Sequence, residues 1–194
     1  IDGELVRKAA ANARQAGVAD RVEFFERDIF ATDISRATVV TTYLLSGLLD
    51  RMRPKLLAEL RPGTRVVAHE FAIPGWEPDR HVNISKDIYL WIVPARVGGR
   101  WELAARLPEG ERRYEFELAQ ANQRIKGGAR VTGGYLPFFD AQLAGDRISF
   151  VIVEGDRSHH YRGRVAAGVM EGDVVTGVGR VEVRSTWRAT RQDK

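Results

Sequence analysis

The chain has 194 residues, 44% of them hydrophobic, with a formal net charge of +4 and no cysteine. The missing thiols exclude disulfides, zinc–thiolate centres and cysteine nucleophiles, and no apolar run approaches the roughly 18 residues of a membrane span. Arginine is spread along the chain without a block of five basic residues, so the charge reads as ordinary surface charge and a nucleic-acid partner is not favoured.

The stretch 4–17 is rich in alanine and long charged residues and sets Leu5, Ala9, Ala13 and Ala16 along one helical stripe, which Gly17 ends. Val22, Phe24 and Phe25 then form a short apolar β-type run that breaks off at Glu26, Arg27 and Asp28, so Asp28 is expected at the carboxyl end of a strand. A second β-branched run, Thr38 to Leu44, has the look of a central strand closed by Tyr43. The next helix, 47–60, carries Leu48, Leu49, Met52, Leu56, Leu57 and Leu60 on its apolar side, and Pro54 predicts a break or a fresh start within it. Pro62 and Gly63 hand over to a strand over 64–71 that ends on His69 and Glu70. Those two neighbours should point to opposite faces and so not act on one atom. After the breaker cluster Pro74, Gly75, Trp76 and Pro78, residues 82–85 and 88–93 pair as an antiparallel hairpin.

At Pro94 the period changes from 3.6 to 2. Tyr114, Phe116 and Leu118 alternate with Glu115 and Glu117; Ile148, Phe150 and Ile152 do likewise; Val181, Val183 and Trp187 face away from Glu182, Arg184 and Arg188. Turns are expected at Ala144-Gly145-Asp146, Glu154-Gly155-Asp156 and Glu171-Gly172-Asp173. About eight strands fit between Trp101 and Arg191, enough to close an up-and-down barrel. His159 and His160 are adjacent on a strand and face opposite ways, while Asp140, Asp146 and Asp156 sit at turns, so no metal site is expected.

The segments NARQAGVADRVEFFERDIF, ATVVTTYLL and LLAELRPGTRVVAHEF, in that order and spacing, resemble the middle of a class I S-adenosylmethionine-dependent methyltransferase, nearest to the lysine methyltransferases of the ATP synthase c-subunit type. The resemblance implies a partial Rossmann-like α/β sheet. It also implies S-adenosyl-L-methionine as cofactor, with the adenine amino group on Asp28, the ring on the Ile29 amide, and Phe30 nearby. Tyr43 would face the methyl group as the candidate catalytic residue. The family's glycine-rich loop and its ribose-binding acid would lie upstream of Ile1, so the chain, which starts without Met, is expected to be a piece of something longer. Gly99-Arg100-Trp101, together with Trp187-Arg188 and Arg191, resembles the tryptophan–arginine plug of lipocalin-like barrels.

The expected organisation is therefore a partial methyltransferase domain over 1–96 and an antiparallel β-barrel over 97–194. Two functions follow: a methyltransferase acting on a lysine or another nitrogen of a protein or small-molecule acceptor, or a binding protein whose barrel holds a small apolar ligand. The compartment stays open, with the cytoplasm favoured.

Overall fold

The structure, a computed structural model, describes residues 2–178 and 181–192. The chain divides into two compact units, Ile1–Ser35 and Arg36–Lys194.

In the first unit, helix α1 spans Gly3–Gln15. Asp2 caps it, its carboxylate accepting from the Glu4 and Leu5 amides, and Gly17 ends it at φ 67° with its N–H donating to the Arg14 carbonyl. Of the expected stripe only Ala13 is buried; Leu5 is exposed. One turn of 3-10 helix, Ala19–Arg21, follows. The strand expected over residues 22–25 does not form. A strand exists only through its ladder, and this segment pairs with none among the described residues, so Phe24 and Phe25 stay exposed.

The second unit begins with β1 (Val39–Thr42), α2 (Ser46–Glu59), β2 (Arg65–His69), β3 (Arg80–Asn83) and β4 (Asp87–Ile92). β1 and β2 run parallel with α2 as their crossover, and the sheet order is β1-β2-β4-β3, the last two forming the expected hairpin. β1 lies at the edge of this four-stranded sheet rather than in its middle. α2 runs unbroken through Pro54, contrary to expectation. Leu49, Met52 and Leu56 on either side of the proline are fully buried, and that packing holds the turn together despite the lost N–H.

The rest is one nine-stranded antiparallel sheet: β5 (Gly99–Leu107), β6 (Gly110–Ala121), β7 (Arg124–Val131), β8 (Gly134–Pro137), β9 (Phe139–Ala144), β10 (Arg147–Glu154), β11 (Arg157–Ala166), β12 (Val169–Val178) and β13 (Val181–Arg191). Each strand pairs with its chain neighbour except β8 with β9, and β13 pairs with β5, so the sheet curls into a nearly closed barrel with one open seam. Among the described residues there are nine barrel strands rather than about eight, because the strand pairing is interrupted at Phe138 between β8 and β9.

The alternation holds where it was strongest. Tyr114, Phe116, Leu118, Ile148, Phe150 and Ile152 are all buried, with Glu115 and Glu117 exposed. Phe150 is the hub of the interior: its ring contacts Phe138 at 4.3 Å, Tyr161 at 4.9 Å and Trp187 at 5.6 Å between centroids. Val183 departs from the pattern and is exposed, while the side chain of Val181 lies outside the described residues. The third expected turn is also wrong, since Glu171-Gly172-Asp173 lies inside β12 and the chain turns at Ala167-Gly168. Gly172 faces Gly163 across β11 and β12, and a Cβ at Gly163 would come within 2.7 Å of the Trp187 ring. That glycine pair makes room for an indole.

The barrel meets the smaller sheet through polar contacts. Trp76 donates its indole N–H to Gln123 at 3.0 Å, Asn122 donates to the Gly75 carbonyl, and Gln120 accepts from the Val97 and Gly98 amides while donating to the Ala95 carbonyl.

Candidate functional site

Ligands in open α/β sheets bind beyond the carboxyl ends of the parallel strands. In the second unit those ends carry Tyr43, directly after β1, and His69, Glu70 and Phe71 at the end of β2. The Tyr43 hydroxyl donates to Glu70 Oε2 at 3.0 Å, and Glu70 Oε1 accepts from Lys86 Nζ at 2.5 Å. The Tyr43 ring meets the edge of His69 at 5.0 Å and stacks on Phe71 at 6.3 Å. With 66% of its surface exposed, Tyr43 is available to a ligand.

Here an expectation is corrected. His69 and Glu70 do not diverge, because β2 ends at His69 and Glu70 adopts φ 69°, in the left-handed region that non-glycine residues rarely enter. This turn breaks the two-residue alternation and brings both side chains to Tyr43. The conformation is held by the Glu70 N–H donating to the Asp87 carbonyl at 2.6 Å and the Phe71 N–H donating to the His69 carbonyl at 2.9 Å. Backbone strain held in place by surrounding bonds is a common mark of a functional site.

The electrostatics follow from the bonds. The Lys86 ammonium, then the Tyr43 hydroxyl, holds the Glu70 carboxyl below its usual range. Glu70 in turn raises Tyr43 and Lys86 above theirs. Tyr43 is thus a neutral phenol whose proton is committed to Glu70, leaving its oxygen lone pairs outward. The trio is open to solvent, so its bonds add little to the stability of the fold.

In the first unit, Asp28 is exposed and stands in an Asx turn rather than at a strand end. Its Oδ1 accepts the Phe30 N–H at 2.9 Å, and its carbonyl accepts from the Thr32 hydroxyl and the Ala31 N–H. Among the described residues the Asp28 Oδ2 and the Ile29 N–H make no hydrogen bond. Residues 28 and 29 therefore offer one acceptor and one donor, the kinds of group that the amino group and ring nitrogen of an adenine require. The chemistry of residues 28–30 fits that group.

Glu70 and Lys86 were missed as site residues. The three partners stand at 43, 70 and 86, so no local spacing links them. The one available signal was the strand-end position of Glu70.

Residues 1–80 match the family model of the ANTKMT methyltransferase domain. The chain is 42% identical over 98 residues to a protein-lysine N-methyltransferase of Saccharolobus islandicus (strain REY15A), covering 48% of this chain and 61% of that one. It is 32% identical over 83 residues to the adenine nucleotide translocase lysine N-methyltransferase of Mus musculus, covering 43% of this chain and 36% of that one. It is also similar to a crystal structure of an RNA methyltransferase from Salinibacter ruber in complex with S-adenosyl-L-homocysteine, at 49% identity and a TM-score of 0.49, over 50% of this chain and 64% of that one. The chain spans less than two thirds of each of these proteins. Over its first 80 residues the chain is thus similar to a methyltransferase domain of the ANTKMT kind, and that likeness indicates S-adenosyl-L-methionine as cofactor.

Proposed function

We propose that the chain is part of an S-adenosylmethionine-dependent lysine N-methyltransferase with a protein acceptor. The match of residues 1–80 to a methyltransferase domain carries this reading, and the two lysine N-methyltransferases similar to the chain favour lysine over other nitrogens. In this reading β1, α2 and β2 are a section of a Rossmann-like sheet within a domain over 1–96, and the barrel over 97–194 positions the acceptor.

Asp28 would take the adenine amino group and the Ile29 amide the ring nitrogen, with Phe30 beside them. When bound, the cofactor supplies an electrophilic methyl group on a sulfonium. The chain's part is orientation. Tyr43, its proton held by Glu70, accepts an N–H from the acceptor amine and turns the nitrogen lone pair toward the methyl. The rings of Phe71 and Tyr43 give the acceptor side chain an apolar surface to lie on, and the proton that the amine loses on methylation passes to solvent.

The binding-protein reading is weaker. Phe116, Phe138, Phe150, Tyr161 and Trp187 fill the interior that a small apolar ligand would need.

The test is incubation of the protein with methyl-labelled cofactor and candidate protein acceptors, followed by mass spectrometry. Methyl-lysine formed by the wild type and lost in Tyr43→Ala supports the reading. Label on nucleic acid or on no acceptor, with no cofactor bound, would remove it.

A further inference from the structure

One end of the barrel holds a polar cluster that the methyltransferase reading does not use. His159, on β11, is fully buried; its Nδ1 lies 2.9 Å from the hydroxyl of Thr176 on β12, while its Nε2 has no hydrogen-bond partner among the described residues. Leaving a buried nitrogen unpartnered costs stability, so its surroundings call for an explanation. Nε2 is 3.9 Å from Oε1 of Glu109, in the turn between β5 and β6, and 4.0 Å from Oε2 of Glu154, at the end of β10. Both gaps are too long for hydrogen bonds.

The other atom of each group is already tied. Glu154 Oε1 accepts from the Tyr114 hydroxyl at 3.0 Å, and Glu109 Oε2 pairs with Arg157 at 3.1 Å. Each side chain is thus oriented by one bond and presents its remaining lone pair to the same point. The three converging atoms lie within 4.8 Å of one another, with side-chain exposures of 0%, 17% and 26% for His159, Glu109 and Glu154.

We propose that Glu109, Glu154 and His159 form a binding site for a divalent first-row metal ion, zinc foremost. An imidazole nitrogen with two carboxylate oxygens suits zinc or manganese better than calcium or magnesium, which prefer all-oxygen shells. Tetrahedral bonds of about 2.0–2.2 Å place ligand atoms about 3.3–3.6 Å apart, so the histidine–glutamate gaps of 3.9 and 4.0 Å must close by about half an ångström, which rotation of the part-exposed glutamate side chains supplies. The Thr176, Tyr114 and Arg157 contacts are the outer bonds that commonly orient such ligands. The ion would pin the β5–β6 turn to the β10–β11 hairpin, two segments with no backbone pairing to each other.

The experiment uses the full chain after dialysis against a chelator, titrated with zinc and with manganese by calorimetry, with the thermal midpoint followed in parallel. One equivalent should bind and raise the midpoint. Glu109→Gln, which keeps shape and folding, should weaken binding by roughly tenfold or more, as should His159→Gln, while His160→Ala on the outer face should bind like the wild type. No stoichiometric binding, binding unchanged in Glu109→Gln, or loss in His160→Ala would each overturn the site and leave Nε2 to a buried water.

Discussion

Tyr43 and Glu70 leave two different parallel strands and meet through a 3.0 Å hydrogen bond because the Glu70 backbone turns into the left-handed region at the end of β2. The bond sets which way the phenol oxygen presents its lone pairs. Tyr43→Phe keeps the ring against His69 and Phe71 but removes that oxygen. Turnover is expected to fall by about a hundredfold, the cost of misplacing a reacting group by an ångström, with cofactor affinity unchanged. Steady-state kinetics beside calorimetry will separate the two, and equal turnover in mutant and wild type would reduce Tyr43 to a wall of the sheet.

The same trio predicts a pH dependence. Glu70 titrates below its ordinary value of 4.5 because Lys86, and then Tyr43, favour the carboxylate. Its contribution is therefore present above that ordinary value and is lost as pH falls through the lowered folded value. Lys86→Ala should move the Glu70 titration up toward 4.5, read from its carboxyl carbon by NMR. An unmoved titration would show that the ammonium contact does not persist in solution.

Asp28→Ala should weaken cofactor binding by about 1.5–3 kcal/mol, the range for a hydrogen bond to a charged acceptor. Because the Phe30 N–H also depends on Asp28, Asp28→Asn is the sharper variant: it keeps the turn and replaces the charged acceptor. Calorimetry giving wild-type affinity for both would remove residues 28–30 from the adenine site.

The barrel should fold without the residues before it. Expressed as 97–194, it is expected to give a β-type circular dichroism spectrum and one cooperative transition reported jointly by Trp101 and Trp187. It should be less stable than in the whole chain, because the Trp76–Gln123 and Asn122–Gly75 bonds are lost. A fragment unfolded on its own would place the boundary elsewhere.

Within the barrel, Phe150→Ala should cost about 3–5 kcal/mol, since it empties the centre of the ring cluster. Chemical denaturation with an unchanged slope would measure it. A cost under about 1 kcal/mol would mean that the neighbouring rings collapse into the space.

The strands easiest to read from sequence were those that bury one face. Phe116 and Phe150 announce β6 and β10 because each alternates with polar neighbours and packs inward. Phe24 and Phe25 gave an equally apolar run, yet a strand also needs a partner, and partners are not written locally. Gly172 looked like a turn because glycine serves two ends, sharp reversal and close approach; here it serves the second, opposite Gly163 beneath Trp187. Glu109, Glu154 and His159 were invisible as a set because only the barrel's curvature and its closing register bring the first turn of the sheet beside its sixth and seventh strands.

That register carries a consequence for biosynthesis. Trp101 pairs with Arg191, so the barrel is completed by joining the first of its strands to be made to the last of them. Until β13 arrives, β5 has only one neighbour and the Phe150 cluster lacks the indole of Trp187. The barrel therefore remains an open sheet with an unpaired β5 edge until β13 is made, the kind of intermediate in which apolar surface is exposed longest.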